Sequence, residues 1–171
     1  MSERQQQLID IYNNFDRFVE TNNSQICQIR DTLLHISGFS AVTRYCKLKE
    51  YKIDTIINVS EEDHTEDIKF LWENNTLDYF WIPIEHDDPM QPIIEQCKQV
   101  QSIINSNPNK NIVIHCQAGI SRSVAVVIFY LMSQDNTKTY EQCLTMIQET
   151  RYMADPNEGF EQQLNTYFKQ V

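Results

Sequence analysis

The spacing of apolar residues changes period several times along the chain, and each change marks an element. Leu8, Ile11, Tyr12, Phe15, Phe18 and Val19 recur at helical intervals behind Ser2-Glu3-Arg4-Gln5, which has the pattern of a capping box. This predicts an N-terminal helix packed on the domain's own core. Residues 33–36 read as a short strand ended by Ser37-Gly38, and residues 40–51 as a helix. Residues 53–59 form a β-branched run of the kind that both faces of a parallel sheet bury. A further strand is predicted over 77–84, a helix over 92–104 and a polar turn over 105–110. Residues 111–115 are a short apolar strand, and 123–133 are apolar all round, as in a buried helix. Helices over 139–150 and 159–169 complete the pattern. Alternating strands and helices define an α/β fold: a central, mostly parallel twisted sheet flanked by helices.

Charge narrows the function classes. Fourteen Lys and Arg against twenty-four Asp and Glu leave a net charge of −10 over 171 residues. A surface that acidic argues against nonspecific nucleic-acid binding and against an anionic membrane, both of which begin with basic patches. No apolar run is long enough to span a bilayer, and the N-terminus lacks the apolar core of a signal peptide. The expectation is a soluble, cytoplasmic protein with nuclear access left open. Five cysteines, Cys27, Cys46, Cys97, Cys116 and Cys143, are odd in number and contain no Cys-x-x-Cys pair. That disfavours a disulfide framework or a zinc knuckle. Cys46, Cys97 and Cys143 fall on apolar helical faces and are expected in the core.

Cys116 is different. His115-Cys116-Gln117-Ala118-Gly119-Ile120-Ser121-Arg122-Ser123 spans the junction between a predicted strand and a predicted helix. Such a junction turns successive N–H groups into one concavity, and the helix dipole adds partial positive charge. The product is a cradle for a phosphate-like dianion. Gly119 permits a turn that a Cβ would hinder, and the planar fork of Arg122 can hold two phosphate oxygens. The same field favours a thiolate at Cys116, a nucleophile aimed at phosphorus.

These residues resemble the His-Cys-x5-Arg-Ser/Thr signature of the cysteine-based protein tyrosine phosphatases, and the Ala-Gly-x-Ser-Arg-Ser variant resembles their small, atypical dual-specificity branch. Residues 53–60 are similar to that branch's Ile-x-x-Ile-Ile-Asn-Val-Ser strand. Pro156-Asn157-Glu158-Gly159-Phe160, followed by Gln163-Leu164, is similar to its closing element. The resemblance implies a catalytic domain over 26–171, preceded by the N-terminal helix within 1–25. It implies that Cys116 forms a cysteinyl-phosphate, that the Gln117, Ala118, Gly119, Ile120, Ser121 and Arg122 amides with the Arg122 guanidinium hold the phosphate oxygens, and that Ser123 assists the sulfur's departure. His115 would orient the loop and tune the thiolate without transferring a proton. Asn157 would buttress the loop, cap the following helix, or both.

The family's general acid is an Asp on a loop after a strand, about thirty residues before the cysteine. Residues 82–89 occupy that place with one residue more than relatives carry, so Asp87 is the first candidate, Asp88 the second, and Glu85 or His86 the remainder. The uncharged Gln117, Ala118, Ile120 and Ser121 lack the lysines typical of phosphoinositide phosphatases. No cofactor or metal is expected, since His35, His64, His86 and His115 show no ligand spacing. The acidic stretch 61–67 reads as a solvated helix start. The implied activity is hydrolysis of phosphotyrosine and phosphoserine/phosphothreonine on protein partners. A phosphoprotein-binding pseudophosphatase and a phosphoinositide phosphatase are the alternatives.

Overall fold

In the computed structural model, residues 23–69 and 77–170 are described. The predicted helix within 1–25 lies almost wholly outside them. Five strands form one sheet in the order β1-β2-β5-β3-β4: β1 Ile26–Gln28, β2 Leu34–Gly38, β3 Thr55–Asn58, β4 Asp78–Trp81 and β5 Ile112–Cys116. All neighbours are parallel except β1, which runs antiparallel to β2. The described helices are α1 Phe39–Val42, α2 Tyr45–Glu50, α3 Thr65–Lys69, α4 Ile94–Ser106, α5 Arg122–Gln134, α6 Tyr140–Gln148 and α7 Glu158–Gln170.

Strand β5 is the centre of the molecule. It is flanked on both sides, with His35 opposite Val113 on β2 and Ile57 opposite Ile114 on β3. Every residue of β5 is buried, which is why its sequence carries no polar alternation. Its side chains still alternate between two cores. Ile112, Ile114 and Cys116 point into the larger one, with Val100 of α4, Val124 and Phe129 of α5, Ile147 of α6 and Leu164 of α7. Val113 points into the smaller core, with Ala41 and Val42 of α1, Leu48 of α2 and Ile68 of α3. Val124, Ala125, Val126, Val127, Ile128 and Phe129 are all buried, as an all-round apolar helix requires.

Three expectations need correcting. The helix predicted over 40–51 is two helices, because Arg44 adopts an extended conformation (φ −102°, ψ 97°) and caps α2. Cys46 is exposed, not core, since the break turns that residue outward; Cys97 and Cys143 are buried as expected. The strand predicted over 77–84 ends at Trp81, beyond which Ile82 and Ile84 are buried in the loop that follows. The antiparallel β1 has no counterpart in the predicted pattern. The acidic stretch leads into α3, with Glu66 and Asp67 in the first turn. Among the described residues no helix is long and apolar enough to cross a membrane.

Candidate active site

The parallel strands all end at the same edge, where Gly38 lies opposite Cys116, and Asn58 lies opposite both His115 and Trp81. Cys116 closes β5 and Arg122 opens α5, so residues 117–121 form a loop between a central strand and a buried helix. No side chain caps the N-terminus of α5, and its first turn carries no acidic residue. Those first N–H groups keep their partial positive charge for an anion.

What shapes the loop is the outward pairing of its carbonyls. The Gln117 carbonyl accepts from the Phe39 N–H at 3.1 Å, and that of Ile120 from the Asp155 N–H at 2.9 Å. The Arg151 guanidinium donates to the carbonyls of Ala118 (2.9 Å) and Gly119 (2.5 Å). The Ser121 carbonyl accepts from the Ala125 N–H at 2.8 Å. With the carbonyls held outside, the loop turns N–H groups inward, and that of Gly119 donates to Cys116 Sγ at 3.2 Å. Gly119 sits at φ +69°, and a Cβ there would lie 2.4 Å from the Ser37 carbonyl oxygen. Only glycine fits this position.

Cys116 is buried at the floor, with Ser123 Oγ 3.4 Å from its sulfur. Arg122 leans over the rim, and its Nη1 donates to the Ile84 carbonyl at 3.2 Å. Its Nε is buried without a protein partner, a donor left for another acceptor. His115 faces the opposite side of the sheet, its Nδ1 3.4 Å from the Cys116 carbonyl oxygen. Burial is the main cause that holds its imidazole down at a pKa of about 3, so it is neutral at working pH. A second imidazole lies behind it: His64 stacks on Phe39 at 3.7 Å and binds Asp67 through Nδ1 at 3.1 Å.

The four acid-loop candidates separate clearly. Asp87 Oδ1 accepts from Ser121 Oγ at 2.6 Å and from Asn157 Nδ2 at 2.7 Å. Ser121 Oγ in turn accepts from the Asn157 N–H at 3.1 Å. Asn157 Oδ1 also caps α7 by accepting from the Phe160 N–H at 3.0 Å, so both geometries expected of it occur together. Asp88 instead accepts from the Met90 N–H at 2.7 Å, within its own loop, and His86 pairs with Glu61 at 3.3 Å. Glu85 is exposed. Asp87 is therefore the acid-loop carboxylate brought to the cradle.

Arg151 escaped the sequence reading. It is 2% exposed, and it clamps two loop carbonyls across more than thirty residues. No local pattern announces it, because its partners are backbone atoms.

A parallel sheet that presents a cysteine at the N-terminus of a central buried helix is the architecture of the protein tyrosine phosphatase-like folds. The chain aligns with the crystal structure of DUSP15 at a TM-score of 0.73 and 28% identity, covering 84% of this chain and 86% of that one. The family model described as "Dual specificity phosphatase, catalytic domain" matches residues 34–170, and the chain belongs to that family. A probable dual specificity protein phosphatase of Dictyostelium discoideum is 37% identical over 135 residues, covering 78% of this chain and 59% of that protein. Dual specificity protein phosphatase 19 of Mus musculus is 33% identical over 130 residues, covering 70% and 52% respectively. The chain thus spans little more than half the length of these two curated relatives.

Proposed function

We propose that this chain is a protein phosphatase of dual specificity, hydrolysing phosphotyrosine and phosphoserine/phosphothreonine through a cysteinyl-phosphate. One observation carries the reading. Cys116 Sγ lies beneath a loop whose carbonyls are all held outside, with the Asp87 carboxyl bonded to Ser121 at its rim.

In the first half-reaction the Cys116 thiolate attacks phosphorus and forms the S–P bond. The P–O bond to the leaving group breaks, and Asp87 delivers its proton to the departing oxygen. The loop amides and the Arg122 guanidinium stabilise the charge on the three equatorial oxygens. In the second half, water attacks phosphorus as the Asp87 carboxylate takes its proton, and the S–P bond breaks. The Ser123 hydroxyl donates to the leaving sulfur. His115 stays neutral and orients the Cys116 carbonyl. Asp87 is preferred over Asp88 because the Asp88 side chain is engaged with its own loop. In this reading residues 26–171 are the catalytic domain, β1 is its first element, and the substrates are phosphorylated proteins in the cytoplasm.

The test is hydrolysis of p-nitrophenyl phosphate in chelator, with and without vanadate, by the wild type and Cys116→Ser. Phosphotyrosine and phosphothreonine peptides follow. Vanadate-sensitive turnover that vanishes in the variant is expected. A folded wild type that binds phosphopeptides but turns over none of these substrates would make it a binding module.

A further inference from the structure

Next to the acid loop, a groove of about 510 Å³ runs between residues 89–94 and the outer face of α7. Pro89, Met90, Pro92 and Ile94 form one wall, and Gly159 and Tyr167 lie on the other. The walls are fixed. Gln163 bonds the opposite loop twice, donating to the Gln91 carbonyl at 2.8 Å and accepting from the Ile93 N–H at 3.1 Å. Gly159 lets the Pro89 backbone press directly on α7, where a Cβ would meet the Pro89 carbonyl oxygen at 1.9 Å. Against these walls Met90 is 86% exposed, a flexible apolar side chain held in water by a rigid loop.

The near end of the groove joins the candidate active site. Pro89 is two residues beyond Asp87, roughly 7 Å along the chain, and Gly159 is two residues beyond Asn157. From Gly159 to Gln170 the groove follows roughly 16 Å of helix, the span of about five extended residues. No Lys or Arg lines it, while exposed Asp88 and Glu158 immediately precede its lining residues Pro89 and Gly159 in the chain. Lys98, over the Tyr167 ring at 5.4 Å, is balanced by Glu95 at 2.8 Å. A segment that enters here begins at the phosphate, passes two carboxylates and ends on apolar walls.

We propose that this groove docks the substrate's own chain, taking an apolar side chain about three to five residues from the phosphorylated one, with a basic residue between them. The inference rests on the phosphatase reading and adds a specificity determinant to it. Preformed walls keep the ordering cost low, so burying one leucine is expressed in affinity.

The experiment uses phosphotyrosine peptides in a Gly/Ser background, with Lys beside the phosphotyrosine and a single Leu moved from two to six positions away on either side. The enzymes are the wild type, Met90→Asp and Thr166→Asp. One stretch of Leu positions is expected to raise wild-type kcat/KM about tenfold, a gain that both variants lose. Their kinetics on p-nitrophenyl phosphate, too small to reach the groove, stay unchanged. Equal rates for every Leu position overturn the proposal, as does a Met90→Asp variant that slows both substrates alike. A wild-type dimer that Met90→Asp dissociates would make a second copy the occupant and also overturn it. If the wild type fails on p-nitrophenyl phosphate, the phosphatase reading fails by itself. Anisotropy titration of Cys116→Ser with the same labelled peptides then still decides: a Leu preference supports the groove, and its absence overturns it.

Discussion

Two adjacent carboxylates, Asp87 and Asp88, have opposite duties because their hydrogen bonds point in opposite directions. Asp87 is bonded to Ser121 and Asn157, whereas Asp88 closes a turn with Met90. Asp87→Ala should slow turnover of aryl phosphates with poor leaving groups on the order of 10²-fold, and activated ones much less. Asp88→Ala should leave both close to wild type, as steady-state rates across a series of substituted phenyl phosphates will reveal. The thiols divide by environment in the same way. Burial pushes Cys143 up to about 11 and Cys97 further. Iodoacetamide at neutral pH, read by peptide mass spectrometry, should therefore modify exposed Cys46 and spare Cys97 and Cys143, with vanadate protecting Cys116.

At the level of elements, the long periodic segments were readable in the chain and the short ones were not. The β-branched run of β3 and the apolar α5 each repeat one environment over enough residues to show it. Strand β1 has three residues, too few for any period, and the break at Arg44 is one backbone conformation within a helical pattern. The cradle was legible because nucleophile, glycine and arginine lie within seven residues of one another. Arg151 was not, because its role comes from the loop it reaches. Replacing it with Met leaves the buried Gly119 carbonyl unpaired, at about 1–3 kcal/mol, and frees the half-buried Ala118 carbonyl to water. Arg151→Met should lower stability in urea titrations by about 1–3 kcal/mol and depress kcat, whereas Lys restores part of both.

For the molecule as a whole, the buried imidazoles set an acid limit. His115 is held near 3 chiefly by burial, and His35 is lowered from 6.5 for the same first cause. Between pH 6.5 and about 3 the unfolded chain takes up a proton at His115 that the folded chain refuses. Stability is therefore full above pH 6.5 and falls as the pH drops through that window. The slope is up to about 1.4 kcal/mol per pH unit for such a group. Urea midpoints should decline from pH 7 to pH 5, and His115→Gln should flatten that decline.

The outward pairing of the loop carbonyls has a further consequence. Their partners come from α1, from α5 itself and from the segment between α6 and α7, which are stretches far apart in sequence. No single region can melt without releasing part of the cradle, and the cradle cannot loosen while all of them are in place. Heat should thus remove activity and fold in one step, with no structured but inactive species between them. Vanadate held by the loop should accordingly raise the melting temperature of the whole fold, so that the catalytic loop behaves as part of the core.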